Sequence, residues 1–434
     1  MADPADIAHL LRRAEFAVRP ARLSELSPLT IAQAVDNVLD ITPNANPQLP
    51  AEFTTDNESN RGGQLTNAYH WWLDMMATRP RPIQERMTLF WHGLFTSATS
   101  DGVGRVDLMM RQNQLYRSEG MGTLLPLTQH MAIDPAMLYY LSNASNVKGS
   151  PNENFARELM ELFTLGVGNY TEDDVAASAR AWTGHNAVDG TYVFVSKRHD
   201  TGDKTFFGTT KNWDGPDIIN EILRDNAGKR AIAARYIARK VWEFFAYPSP
   251  DAALLDALQA DFLASDLHLT SLLRTIFNRP EFYSAAAKQG LVRSPTDFMV
   301  ALLVHTGLTA KDYSMRSKGD PMGQELFEPP NVAGWKANAY WMNTSALSGR
   351  GLFAKEVAAK LAKLAPYTGI AAMAVGDAVD WVATTFGIAP LTTVSRDSLV
   401  ALLTTERATA KNTAEKAIAN LLHLALVTPE MHTA

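Results

Sequence analysis

NENFARELMELFTLGVGNYTEDDVAASARAWTGH, residues 152–185, packs a polar strip, a glycine turn, a capped second helix and a small-residue exit into one run. Phe155, Leu159, Leu162 and Phe163 recur at helical spacing, which predicts a helix from Asn154 to Gly166 with one apolar face. At about 100° per residue, Asn154, Glu158 and Glu161 fall along one flank of that face, with Glu158 nearest its centre. Arg157 stands one turn before Glu161 and is placed to pair with it. Gly166 and Gly168 supply the left-handed backbone that a C-terminal cap needs. Thr171 is set to cap the next helix, whose first turn carries Glu172, Asp173 and Asp174 at the positive dipole end. That helix is expected to run through Ala181 with Val175, Ala176 and Ala179 facing inward.

Two readings compete for the polar flank. In one, a half-buried carboxylate pair beside an arginine does acid–base chemistry, holds a metal or clamps a ligand. In the other, the same residues form a buried polar network that fixes how two helices meet.

Composition narrows the classes. The chain has 434 residues and is 46% hydrophobic, enough to bury a large core. A formal charge of −6 without a basic run argues against nucleic-acid binding. There is no cysteine, which removes disulfides, thiolate nucleophiles and Cys-ligated metal sites. No apolar run is long enough to cross a bilayer. Residues 1–30 lack a signal-peptide core, and Arg12-Arg13 is followed by AEFAVRPARLSEL, a charged helical stretch and not an export signal. If the protein is exported, the leader is missing from this chain or a partner carries it.

Outward from the central stretch the pattern is helical. Ala68–Met76 and Ile83–Phe95 read as long helices, and Pro43–Pro50 as a proline-rich connector between earlier elements and these. His92 lies on an aromatic-rich helix, where a histidine is more often a core residue than a ligand. The fold class expected is mainly α, a multi-helix array with one short β-hairpin near 191–208 and a long aromatic loop at 323–350. Residues 1–350 are expected to form the core, with 351–434 a helical segment packed on it. In the hairpin, Tyr192 and Phe194 would pair with the run Lys204 to Gly208, placing His199, Asp200 and Lys204 at the tip. Such a tip can deliver a base or bind an anion, or can be plain turn chemistry with Asp200 bonding its own backbone. In the loop, Asn331 and Trp335 suggest a binding wall and Trp341 a hydrophobic plug.

Six blocks carry a resemblance. HLLRRAEF (9–16), LFWHGLF (89–95), NENFARELMELFTLGVGNYTEDDV (152–175), RHDTGDKTFFG (198–208), PPNVAGW (329–335) and LALVTPE (424–430) together resemble a large bacterial family, domain of unknown function 1800. The resemblance implies a mostly helical fold, frequent export in folded form, and frequent gene pairing with a sulfatase-like protein. It brings no established reaction. The chain departs from the family pattern at Ala17 (usually glycine), Leu94 (usually a second histidine), Ser142 (usually aspartate) and His185 (usually tryptophan). With Leu94 in place, a His-x-His metal pair built on His92 is not available.

Two functional expectations follow. The first is an envelope-associated hydrolase or transferase acting on a polar or saccharide substrate. Glu158 and Glu161 would share acid, base or metal-holding work, and His199 with Asp200 would move protons. Arg157, Asn154, Lys204, Asn331 and Trp335 would bind the substrate. A divalent metal is the cofactor to consider, with His92 and Glu158 as its candidates. The second expectation is a non-catalytic scaffold for a sulfatase-like partner, in which those residues only set helix registry.

Overall fold

The fold is a computed structural model that describes residues 2–45 and 47–434; Met1, and Asn46 within the proline-rich connector, lie outside the described residues. The central stretch is helical, yet its geometry changes midway. Asn154–Glu158 is an α-turn, and Leu159–Thr164 continues it as a π-helix. The Thr164 hydroxyl donates to the Leu159 carbonyl at 2.5 Å, and the Leu165 N–H to Met160 at 2.9 Å. A π-turn inserts one residue into the helical repeat, so the faces beyond it rotate. Met160 therefore joins Phe155, Leu159 and Phe163 in the core, and Leu162 is only half-buried. Thr171 caps the next helix, Glu172–Ala181, in a reciprocal box with Asp174. Its inward residues are Val175, Ala177 and Ala179, with Ala176 at the edge.

The β structure differs from the single hairpin expected near 191–208. Among the described residues there are two: His185–Val188 pairs with Thr191–Phe194, and Lys204–Phe206 pairs with Thr209–Lys211, each antiparallel. The reason is turn chemistry. Asp189 and Gly190 both take positive φ (52° and 75°), the backbone of a two-residue turn that matches strand twist. Phe207 and Gly208 do the same at 45° and 80°. The intervening RHDTGD segment closes instead on itself, with the Gly202 N–H donating to Asp200 Oδ1 at 2.9 Å.

Around these elements the chain is mainly α. The Ile83–Leu94 helix is buried from Ile83 through His92. At its start Glu85, with no solvent exposure, accepts N–H donors from Trp72 (3.0 Å), Arg79 (3.2 Å) and Arg117 (2.7 and 2.9 Å). Arg61–Thr78 with its cap Arg79, Ile83–Leu94 and Val106–Glu119 are thereby tied at one atom pair. At its end, His92 Nε2 accepts the Phe327 N–H at 3.0 Å and the Thr96 hydroxyl donates to the Val332 carbonyl at 2.5 Å. Gly334 (φ +74°) lies so close to this helix end that a Cβ there would stand 2.3 Å from the Gly93 carbonyl oxygen. These contacts lay the aromatic loop across the helix, and the next helix, Thr344–Leu361, runs through position 350. Phe353, Val357, Leu421 and Leu422 share one apolar cluster with Trp72, Phe298 and Leu302, so the C-terminal helices are part of a core that reaches back to the Arg61–Thr78 helix. Among the described residues, no helix is long and apolar enough to cross a membrane.

Glu85→Gln is expected to destabilise the fold by about 3–5 kcal/mol, because it leaves two buried arginines without their anion. Chemical denaturation should show a lower midpoint at unchanged slope. Burial alone would raise the Glu85 pKa, but Arg117 and Arg79 outweigh it and hold the carboxylate below its ordinary range. The native state thus binds fewer protons than the unfolded chain, so the Glu85 contribution is whole above about pH 4.5 and fades as pH falls through the folded value.

Candidate functional site

The Pro4–Glu15 helix explains the site's chemistry. It is buried on all sides from Ile7 to Glu15, so Arg12 and Arg13 have no solvent face to turn to. Both point into a cavity of about 380 Å³ that lies under the aromatic loop. Arg86, from the helix that also carries Glu85, and Arg293, just before the Pro295–Thr306 helix, bring the arginines that line it to four. None of the four is more than 9% exposed. Leu89, Phe90, Phe244, Trp335 and Trp341 give the cavity an apolar wall. Lys336 and Ala337 are exposed and mark where it meets solvent.

The arginines are only partly satisfied. Arg86 pairs with Asp297, and its guanidinium lies over the rings of Phe16 (4.7 Å) and Phe244 (4.9 Å). Arg13 donates to the Ala287 carbonyl at 2.5 Å, and Arg293 to those of Phe16 (2.6 Å) and Thr433 (3.1 Å). The Nε atoms of Arg12, Arg13 and Arg86 have no hydrogen-bond partner among the described residues. With Lys240 and Lys336, six cationic side chains line the cavity against two acidic ones, Asp297 and Glu243. Burial pulls the Arg12 pKa down to about 10. Burial, together with Arg12, Arg86 and Arg350, pulls Arg293 down to about 9. Arg13 is lowered by burial and then by Arg86, Arg12 and Arg293. Guanidinium is the side-chain cation least able to give up its proton, so like charges are crowded in a desolvated space.

The residues singled out in the sequence are dispersed. Trp335 lines the cavity, half-buried, with its ring 5.4 Å from that of His92. Asn331 is exposed and accepts the Ala333 N–H at 2.9 Å, a turn contact outside the cavity lining. His92 is a core residue: its Nε2 lone pair is taken by Phe327, and burial lowers its pKa to about 3. It is not free to hold a metal through that nitrogen. Glu158 is half-buried, its pKa raised by burial and then by Glu161. Glu161 accepts the Tyr170 hydroxyl at 2.5 Å. Arg157 does not pair with Glu161; the rotation after the π-turn leaves it with Glu172 (2.8 and 2.9 Å) and Glu153 (3.2 Å). Asn154 is exposed, with its N–H on Asn152 Oδ1 at 3.0 Å. Neither Glu158 nor His199 joins Trp335 in the cavity lining.

The expected hairpin tip is likewise rearranged. Lys204 is 1% exposed, and its ammonium donates to the carbonyls of Asp200 (2.6 Å), Gly202 (2.9 Å) and Trp213 (2.8 Å) and to Asn212 Oδ1 (3.0 Å). It is a staple between two loops and has no donor left for a substrate anion. Asp200 is bound by Arg180 at 2.7 Å, which with the Gly202 N–H holds its pKa down to about 2. His199 is 8% exposed, and its Nδ1 lies 2.8 Å from the Thr183 carbonyl. Sequence reasoning missed the four arginines. The adjacent pair Arg12-Arg13 is visible in the sequence, but its local pattern does not show that the helix carrying it is covered on every side.

Lys204→Met is expected to cost about 3 kcal/mol or more, since it leaves several buried oxygens without a donor. Thermal unfolding should report the loss, and a substrate-binding lysine would instead leave the fold intact. No curated protein and no solved structure matches this chain. One family does, over residues 9–433, the family described as protein of unknown function (DUF1800). The chain belongs to that family.

Proposed function

We propose that this chain binds a small molecule with an anionic head and an apolar or aromatic body in the arginine-lined cavity. One observation carries the reading: four buried guanidiniums line one space in which, among the described residues, Asp297 is the one carboxylate paired with any of them. Leaving a charge desolvated without a counter-ion costs several kcal/mol on the order of a whole domain's margin. A ligand anion would supply that counter-charge. The planar guanidinium fork fits two oxygens of a carboxylate, phosphate or sulfate, which makes these the head groups to consider. The tryptophan wall suits a flat or apolar remainder, and the volume lies within the usual small-molecule range of roughly 300–1,000 Å³.

Binding has more support than hydrolysis or group transfer. Among the described residues the lining holds no histidine, and its Ser294 hydroxyl is engaged as a helix cap that accepts the Asp297 N–H at 3.1 Å. Asp297 is occupied by Arg86. The remaining carboxylate of the lining, Glu243, is hydrogen-bonded to neither a hydroxyl nor an imidazole among the described residues, so no paired nucleophile and base faces the ligand space.

Phenyl phosphate is expected to raise the thermal unfolding temperature in a concentration-dependent manner, inorganic phosphate to do so less, and phenol not at all. Arg12→Met should abolish that response. Because Arg12 lacks a partner at Nε, the same variant is expected to stabilise the ligand-free protein by on the order of 1 kcal/mol. An undiminished phenyl phosphate shift in Arg12→Met would overturn the proposal.

A further inference from the structure

Three polar side chains outside the cavity meet beside the first hairpin. His185 begins the first strand, His199 follows the second, and Asp214 precedes the Gly215–Asn220 helix. Asp214 Oδ1 lies 2.9 Å from His185 Nε2 and 4.0 Å from His199 Nε2, and one donor atom from each of the three lies within 4.8 Å of the others. Nitrogen and oxygen donors held about 2.1 Å from a tetrahedral ion stand roughly 3.4 Å apart, a value the two distances bracket.

The surroundings orient all three groups toward one point. The Thr183 carbonyl can only accept, so His199 Nδ1 carries the proton and Nε2 presents its lone pair inward. His185 is held through Nδ1 by the Tyr192 hydroxyl at 3.0 Å. This is the outer support that metal-binding imidazoles require. Thr183 is itself fixed, donating to the Arg180 carbonyl at 2.6 Å and accepting the Asp200 N–H at 2.8 Å. Gly184, at φ +82°, makes the close approach feasible: a Cβ there would stand 3.1 Å from His199 Cβ and 2.8 Å from the Val195 carbonyl oxygen. Asp214 is anchored by the Gly215 N–H at 2.8 Å. The Lys204 staple bonds Asp200 on one side and Trp213 on the other, each the neighbour of a donor residue.

We propose that His185, His199 and Asp214 bind one divalent transition-metal ion. Two imidazoles and one carboxylate, without thiolate, favour zinc and its first-row neighbours over magnesium or calcium, which prefer all-oxygen shells. The imidazoles are buried, with side chains 3% and 8% exposed, while Asp214 is 47% exposed. The partly exposed ring of Phe194 packs against both histidines, at 5.0 and 5.3 Å. Three protein ligands on the inner side leave the outer coordination positions to water or to an oxygen ligand. This proposal is independent of anion binding in the cavity, since no residue is shared.

The test uses the full chain after EDTA treatment and dialysis, titrated with Zn²⁺ by calorimetry and with Co²⁺ by visible absorption. Saturable uptake of one ion per chain is expected, with Co²⁺ bands of four- or five-coordinate intensity. His199→Ala and Asp214→Asn should each weaken uptake by at least about tenfold. Asparagine still caps a helix, so Asp214→Asn is expected to retain the fold even if the histidine variant does not. His130→Ala, at an exposed histidine paired with Glu119, should leave the titration unchanged. Mg²⁺ at the same concentrations should not compete. Absence of saturable uptake, or equal uptake by wild type and Asp214→Asn, would sink the metal site.

Discussion

Glu85 has no contact with water, and four N–H donors from Trp72, Arg79 and Arg117 converge on its two oxygens. The helices that carry these donors cannot move apart without stripping a buried carboxylate of its counter-charges. Gln84 extends the same knot, accepting from Arg79 at 3.0 Å and donating to the Arg117 carbonyl at 3.0 Å. With this end of the Ile83–Leu94 helix locked, its other end becomes a fixed platform. His92, Gly93 and Thr96 then seat the aromatic loop there through Phe327, Gly334 and Val332. The cavity is what remains between the locked helix, the loop and the buried N-terminal helix.

The same helix thus bears two kinds of buried ion. At Glu85 the charges close on each other and the result is architecture. One residue on, Arg86 lies on a different face of the helix and lines the cavity with three further arginines, where Asp297 pairs with Arg86 alone and the charges do not close. Low dielectric strengthens an attraction and a repulsion alike, so an unmatched cluster is an energetic liability unless something completes it. That asymmetry separates a structural ion network from a binding site more sharply than the identity of the residues does. Lys204 makes the same point from the other side: it is a buried cation with every proton spoken for, and it therefore holds loops together and binds nothing else.

Much of the secondary structure was legible. Helical spacing located the 152–185 stretch, Thr171 marked a cap, and the family pattern marked a mainly helical chain. The misreadings have local causes. A π-turn cannot be seen in a period of 3.6, so helical spacing puts Leu162 on the apolar face and does not mark Met160. The Asp189-Gly190 pair is a hairpin signal readable in the sequence, but the longer RHDTGD segment has turn composition too, and local pattern does not rank the two or bring His185 to Asp214. In the sequence His185 stands out only as a departure from the family's usual tryptophan.

What the sequence decided by itself was which segments coil, where they are capped, and that no thiol chemistry takes part, because those depend on neighbours a few positions away. Which charges are matched was decided only by the tertiary structure. Arg12 and Arg293 are 281 positions apart, and Arg86 meets Asp297 across 211. Whether an arginine is a solvated surface residue or part of a desolvated cluster depends on what covers it. Coverage is a property of packing between distant segments, and no local pattern encodes it.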